Sequence, residues 1–281
     1  MTHDGIVEYY NKSRNAYKDA WDLDNSMQLN LGFWYEDTKN LREALRNLNS
    51  YVAREAGIKP DELMLDAGCG VGGTSIFMAK NHHCRVKGIT LVPHQVEQAI
   101  ENARKNGVSD LTEFQVMDYC HTTFPDNHFD LITGIESICH APSKRDFLKE
   151  AHRILKPGGK LILAENLQAR DTLTAREYDQ LYTYGFHGCK IHSLDTEKQY
   201  LTNLADLGYS RYQCKDMTSY VWPSVKRLRK IYYLAWAYNR YRAMIGKPYG
   251  ETEKAHTTMC YYLYTGLKKN LWSYGLITAT K

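Results

Sequence analysis

The 281-residue chain predicts an α/β fold: a doubly wound, seven-stranded, mostly parallel sheet with an antiparallel closing strand and helical lid additions. Three observations carry this. The apolar run Leu63-Met64-Leu65 enters the turn Asp66-Ala67-Gly68-Cys69-Gly70-Val71-Gly72-Gly73, and Thr74 to Lys80 follows with helical spacing. Strand-like runs recur near 62–66, 85–90, 112–116, 129–135 and 160–165, with helical patterns near 73–80, 93–106 and 144–155 between them. That alternation implies parallel strands joined by right-handed crossovers, with ligands outside the carboxyl ends of the strands. Trp272 to Thr280 alternates apolar and polar residues and suits a closing strand that runs the other way.

Taken in order, residues 1–60 form a helical cap. Glu8 to Trp21 is helical, with Tyr10, Tyr17 and Trp21 as its aromatics, and Leu29 to Tyr35 is too apolar for a solvated tail. Thr38 is a candidate N-cap for a helix carrying Leu41, Leu45, Leu48 and Val52, and Gly57 and Pro60 break the chain before the first strand. Residues 61–168 are the cofactor-binding core. Residues 169–207, with Tyr178, Tyr182, Tyr184, Phe186, His187 and Tyr200, read as a helical lid inserted above the sheet. Residues 208–281 complete the core. They hold a sixth strand at Tyr209–Cys214, a largely helical aromatic segment from Val225 to Leu267, and the closing strand.

Composition narrows the function. A formal net charge of +4 is too slight for a general nucleic-acid binder, which needs a concentrated basic face. Seven scattered cysteines, without a C-x-x-C pair or zinc spacing, read as reduced thiols in a cytoplasmic protein. Met1-Thr2-His3-Asp4 opens no secretory signal, and no apolar run approaches the length of a membrane span. No pair of histidines has specific metal-ligand spacing. The 22 tyrosines suit partly exposed helix faces or a large amphipathic pocket. The aromatic N-terminal helix can pack on a second copy as readily as on its own domain.

The glycine turn gives the chemistry. Gly68, Gly70 and Gly72 strip one side of the turn of Cβ atoms, so a ligand can approach the backbone. Gly68, Gly70 and Gly73 also fit the dinucleotide pattern G-x-G-x-x-G. A nicotinamide site, however, needs an acidic residue at the end of the second strand, and Thr90 stands there instead. The acid present is Asp66, ahead of the glycines.

From Leu63 to Leu167 the chain resembles the class I S-adenosylmethionine-dependent methyltransferases, with their Rossmann-like sheet. Leu65 to Gly73 is similar to their first motif, Val116-Met117-Asp118-Tyr119 to the segment after the third strand, Phe129 to Ile132 to the fourth strand, and Arg153 to Leu161 to the helix end, turn and fifth strand. Gly88 to Gln95 resembles the tocopherol and prenyl diphosphate C-methyltransferase branch. Glu136-Ser137-Ile138-Cys139-His140-Ala141-Pro142 is similar to a segment of sterol 24-C-methyltransferases.

The resemblance implies S-adenosylmethionine as cofactor and a small hydrophobic acceptor. Asp66 would meet the ammonium group, Gly68 and Gly70 would wall the methionine part, and Asp118 would accept from the adenine amine with Tyr119 alongside. Thr90 stands where most of these enzymes carry a ribose-binding carboxylate, and Gln95 would share its task. For Asp118 the plainer alternative is a solvated loop acid. Glu136 and His140 follow the fourth strand, where the acceptor would lie. Carbon methylation of an alkene needs a carboxylate and aromatic faces for the cation it creates; an oxygen or nitrogen acceptor needs a base, for which His140 is the candidate. Both residues can equally be structural. Glu165, Tyr182, His187 and Tyr200 are the remaining acceptor-binding candidates. Glu165 reads as well as a cap or hinge acid, and His187 and His192 as surface residues. The basic run Lys226–Lys230 would bind a diphosphate on a prenyl acceptor or form a solvated helix face. Carbon methylation of a prenyl or terpenoid acceptor is the expected reaction. The alternatives are an O- or N-methyltransferase acting on a phenol, quinol or amine, and a non-catalytic or nicotinamide-binding module.

Overall fold

The computed structural model describes residues 3–281, and only the backbone of residues 3, 4, 15, 16, 19, 20 and 252. Met1 and Thr2, part of the segment read as lacking a secretory signal, lie outside the described residues. The strands are β1 (Leu63–Ala67), β2 (Arg85–Thr90), β3 (Thr112–Val116), β4 (Phe129–Ile135), β5 (Leu155–Gln168), β6 (Ser210–Asp216) and β7 (Trp272–Thr280). The helices are α1 (His3–Trp21), α2 (Leu23–Ser26), α3 (Leu41–Ala56), α4 (Gly73–His82), α5 (Pro93–Asn106), α6 (Lys144–Ile154), α7 (Ala175–Tyr178), α8 (Glu197–Asp206), α9 (Thr218–Met244) and α10 (Glu251–Lys268).

The seven strands form one sheet in the order β3-β2-β1-β4-β5-β7-β6, and β7 runs antiparallel to both its neighbours. The predicted class and closing strand are therefore observed. Order reverses between β1 and β4, so the carboxyl ends of these strands open a crevice at the switch point. Side chains alternate across the sheet. Met64, Val86 and Ile162 face a core shared with Leu48 and Val52 of α3 and Ile76 of α4. Leu65, Ile89, Leu161 and Leu163 face the opposite core with Phe147, Leu148 and Ala151 of α6 and Leu204 of α8.

Three boundaries differ from the sequence reading. The cap of α3 is Asn40, whose side chain accepts from the Glu43 N–H at 3.0 Å. Thr38 Oγ1 instead accepts from the Tyr35 N–H at 2.9 Å. β5 is much longer than 160–165, because Leu155 already pairs with Phe129 and residues 160–168 pair along β7. Finally, α8 lies against α6 and β6 as part of the layered core rather than above the sheet.

The segment 27–35 has no regular structure yet crosses the crevice as a strap. Leu31 and Phe33 are buried, and the Trp34 indole donates to Ser224 Oγ of α9 at 2.7 Å. The strap rests on α3 at Gly32, which has φ +65°; a Cβ there would lie 2.7 Å from the Ala44 carbonyl carbon. Gly32→Ala therefore combines left-handed strain with a backbone clash, and should lower unfolding free energy by roughly 2–3 kcal/mol in urea titrations.

Candidate active site

The crevice holds a cavity lined by the β1–α4 turn, the end of β2, the turn after β4, the strap, and Ile6 and Tyr10 of α1. The backbone of the β1–α4 turn dictates its floor. Gly68 has φ +84°, and a Cβ there would collide with Ser137. Gly70 has φ +53°, and a Cβ there would meet nothing within 4 Å, so this residue faces open space. Both Gly68 and Cys69 donate their N–H groups to the Ile89 carbonyl at 2.9 Å, which ties the turn to β2.

Asp66 ends β1, fully buried, and accepts from Ser75 Oγ at 2.6 Å. Burial raises its carboxyl to about 6, against the lowering effect of Ser75. Among the described residues that line the cavity there is no lysine or arginine. A buried carboxylate facing such a cavity suits a ligand that brings its own positive charge. At the end of β2, Thr90 Oγ1 donates to Gln95 Oε1 at 2.8 Å, so the two form one polar unit in the wall. Tyr119 also lines the cavity and donates its hydroxyl to the Ser137 carbonyl at 3.0 Å. Asp118 is not in the wall. Its carboxylate accepts from the Cys120 N–H at 2.8 Å and contacts His121 Nδ1 at 3.0 Å.

The turn after β4 forms the opposite side. Glu136 has φ +49°, a left-handed conformation that costs a non-glycine residue about 1–2 kcal/mol. It persists because the surroundings hold it. Its N–H donates to the Ala164 carbonyl, while its Oε1 accepts from the Leu31 N–H at 2.8 Å and the Tyr274 hydroxyl at 2.9 Å. Burial, with a smaller contribution from nearby Glu165, raises Glu136 to about 8. His140 Nε2 lies 3.2 Å from the Tyr10 hydroxyl, and its buried Nδ1 has no hydrogen-bond partner. Burial lowers this imidazole to about 4, so it is neutral at neutral pH.

Glu165 is fully buried behind this turn and does not line the cavity. Its carboxylate accepts the N–H groups of Ser137 at 2.9 Å, Ile138 at 2.7 Å and Cys139 at 3.2 Å. Buried Lys144 completes the arrangement by donating to the carbonyls of Cys139, Ala141 and Ser193. The other three acceptor-binding candidates are not brought to the cavity either. Tyr200 is in the core beside Phe147 and Leu204. Tyr182 bonds Gln168 Oε1 at 2.6 Å and the Leu194 N–H at 3.2 Å on the far side of the lid segment. His187 stacks loosely on His192, with ring centroids 5.2 Å apart. Those readings relied on position in the chain, and the irregular path between β5 and β6 carries these side chains away. Conversely, Tyr10 and the strap residues 27–30 were missed as cavity wall. Only the apolar character of the N-terminal segment signalled that it packs on the body.

The comparisons decide the family. Residues 65–163 match the family described as "Methyltransferase domain". That stretch is a class I S-adenosylmethionine-dependent methyltransferase domain, and the protein is an S-adenosylmethionine-dependent methyltransferase. It is 29% identical over 214 residues to the 27-O-demethylrifamycin SV methyltransferase of Amycolatopsis mediterranei, covering 76% of this chain and 78% of that one. It is 28% identical over 237 residues to a sterol 24-C-methyltransferase of Neurospora crassa, covering 79% of this chain but only 59% of the relative. The fold is shared with the [4+2]-cyclase SpnF, at a TM-score of 0.78, 21% identity and 98% and 94% coverage. It is also shared with the geranyl diphosphate C-methyltransferase of Streptomyces coelicolor A3(2), at 0.76, 18%, 99% and 97%. This methyltransferase takes S-adenosylmethionine as its cofactor, and the buried carboxylate, bare glycine wall and polar Thr90–Gln95 unit fit that molecule.

Two outcomes test the site. A carboxylate that receives an ammonium group must be ionised, so a cofactor held at Asp66 should bind more tightly as pH rises through about 6. Asp66→Asn should lose about tenfold or more in affinity and flatten that rise in titration calorimetry between roughly pH 5 and 8. Glu165→Ala leaves three buried N–H groups without an acceptor, and should lower unfolding free energy by about 3 kcal/mol or more.

Proposed function

We propose that this methyltransferase methylates a carbon of an uncharged isoprenoid or terpenoid alkene, with Glu136 and His140 at the reacting end of the acceptor. The observation that carries this reading is Glu136 itself. It is a half-buried carboxyl on strained backbone, lining the cavity together with Tyr10, and the described residues of that wall include no lysine or arginine. Such a wall repels a bound diphosphate. The cations of the Lys226–Lys230 run lie instead along α9, where Lys226 faces the Trp222 ring and Arg229 the Tyr264 ring.

When bound, S-adenosylmethionine supplies an electrophilic methyl group on a sulfonium. For the chain's own residues, Asp66 holds the ammonium end, and Gly68 and Gly70 leave room for the methionine part. Thr90 and Gln95 take the ribose hydroxyls, while Tyr119 in the wall, with Asp118 preceding it in the chain, meets the adenine. Methyl transfer to an alkene leaves positive charge on the acceptor. Glu136 and the Tyr10 ring face that charge and stabilise it. The same carboxylate then takes a proton from the acceptor, which restores a neutral product. Glu136 Oε1 is occupied by Leu31 and Tyr274, so Oε2 is the oxygen available to the proton. A nearby cation lowers a carboxyl pKa, so the ionised form that this role needs arises when the site fills.

A second reading is O-methylation with His140, which lines the cavity, as base, although an imidazole near 4 is a weak base for a phenol.

Incubation with isotope-labelled methyl donor and a panel of sterols, prenyl alcohols and phenols, followed by mass and NMR analysis, distinguishes a new carbon–carbon bond from a methyl ether. Glu136→Gln keeps the Leu31 contact but cannot take a proton. It should lower kcat by about 100-fold or more, with cofactor affinity changed only a few-fold. Unchanged turnover in that variant sinks the role given to Glu136.

A further inference from the structure

Helix α9 contributes buried side chains only as far as Leu228. From Ile231 to Ile245 no residue is buried, and the helix leaves the body as one arm of a hairpin with α10. This arm is unusually apolar for a solvated helix. Leu234, Tyr238, Tyr241 and Ile245 recur at i, i+4, i+7 and i+11, so they share one face. Leu234 is 72% exposed and Met244, beside that face, 79%. Trp236 and Tyr233 flank it and are half exposed, with the Arg240 guanidinium 5.4 Å from the Trp236 ring and that of Arg229 5.7 Å from Tyr233.

The charge on the arm has a single sign. Across its 27 residues α9 holds Lys226, Arg227, Arg229, Lys230, Arg240 and Arg242 and no aspartate or glutamate. Arg242 is turned to Glu253 of α10 at 3.4 Å, whereas Lys230 and Arg240 are exposed next to the apolar face. A second copy laid on this face would bring cations against cations. An anionic surface that also accepts tyrosine, tryptophan and aliphatic side chains meets both requirements. The headgroup layer of a bilayer with acidic lipids is such a surface.

We propose that the outer face of the α9–α10 hairpin, from Lys230 to Ile245, docks on an anionic membrane surface. The binding is peripheral: among the described residues no helix is long and apolar enough to cross a membrane. The fold links this face to the cavity. Ile6 and Tyr10 of α1 line the cavity, while Tyr9 and Tyr17 of the same helix pack on the His256 ring of α10 at 5.3 and 6.0 Å. Docking the hairpin therefore sets the helix that closes the cavity beside the bilayer, the phase in which an apolar acceptor concentrates. The docking itself does not depend on which acceptor is methylated.

The test is co-sedimentation of the full chain with vesicles of phosphatidylcholine alone and of phosphatidylcholine with about one-third phosphatidylglycerol. Sedimentation with the anionic vesicles is expected, weakening about tenfold without the acidic lipid and falling with added salt. The variants Lys230→Glu/Arg240→Glu and Leu234→Ser/Tyr238→Ser should each reduce the bound fraction about tenfold. Both should keep the thermal stabilisation given by S-adenosylmethionine, which reports an intact fold and core site. The proposal is overturned by absence of sedimentation at low salt, or by binding that neither variant changes. It is equally overturned by a soluble dimer in light scattering that the same variants dissociate without any vesicle binding.

Discussion

The turn between β4 and α6 is held by two buried charges that do not pair with each other. Glu165 takes the amide groups of Ser137, Ile138 and Cys139, and Lys144 takes the carbonyls of Cys139 and Ala141. Each ion replaces water for one set of backbone dipoles, so a non-repetitive segment can lie inside the protein without unsatisfied polar groups. Because the turn is fixed in this way, Ser137 can press against Gly68 and bond the Ala67 carbonyl, and Tyr119 can bond the Ser137 carbonyl. The glycine turn after β1 and the turn after β4 are thus one connected structure, and Glu165 supports the cavity through position rather than by lining it.

The same turn accounts for the electrostatics of the cavity. Asp66 is buried and Glu136 half-buried, both with neutral hydrogen-bond donors and, among the described residues, no lysine or arginine in the cavity wall, so loss of water dominates and raises both. His140 is lowered by the same cause. A site that keeps its carboxyls uncompensated is destabilised while empty and favours a positively charged occupant. That is the electrical requirement of a sulfonium donor, and of an acceptor that passes through a cation.

The N-terminal strap shows how distant parts of the chain complete the site. Leu31 gives its N–H to Glu136, and its carbonyl accepts from Ser224 of α9. Tyr274 of β7 gives its hydroxyl to the same carboxylate. The strap, α9 and β7 therefore meet on one oxygen of Glu136 or its immediate support, although Leu31 lies 105 residues before Glu136 and Tyr274 lies 138 after it. The long α9–α10 hairpin shares this link: its base anchors the strap, and its outer arm carries the aromatic and basic face.

Periodicity and glycine placement in the sequence determine the sheet, because strand and helix patterns report which side chains must be buried, and Gly68 and Gly70 stand where no Cβ is tolerated or needed. β1 to β4, α4 and α5 were legible on that basis, whereas Asp66, Thr90, Gln95 and Tyr119, which line one cavity, were singled out by the resemblance to class I methyltransferases. The length of β5 and the core position of α8 were not legible, since each depends on a partner far away in the chain, and the Asn40 cap was not because Thr38, the other local candidate, is taken by the Tyr35 N–H. The sequence likewise singled out Glu136, His140 and Glu165 as chemically charged with meaning, but not their division of labour. Only the tertiary structure decided that Glu136 faces the cavity while Glu165 turns to backbone amides, and that Tyr10, rather than Tyr182, His187 or Tyr200, closes the wall. The reason is physical: what a buried carboxyl does is set by the donors that surround it, and those donors come from segments whose meeting no local pattern encodes.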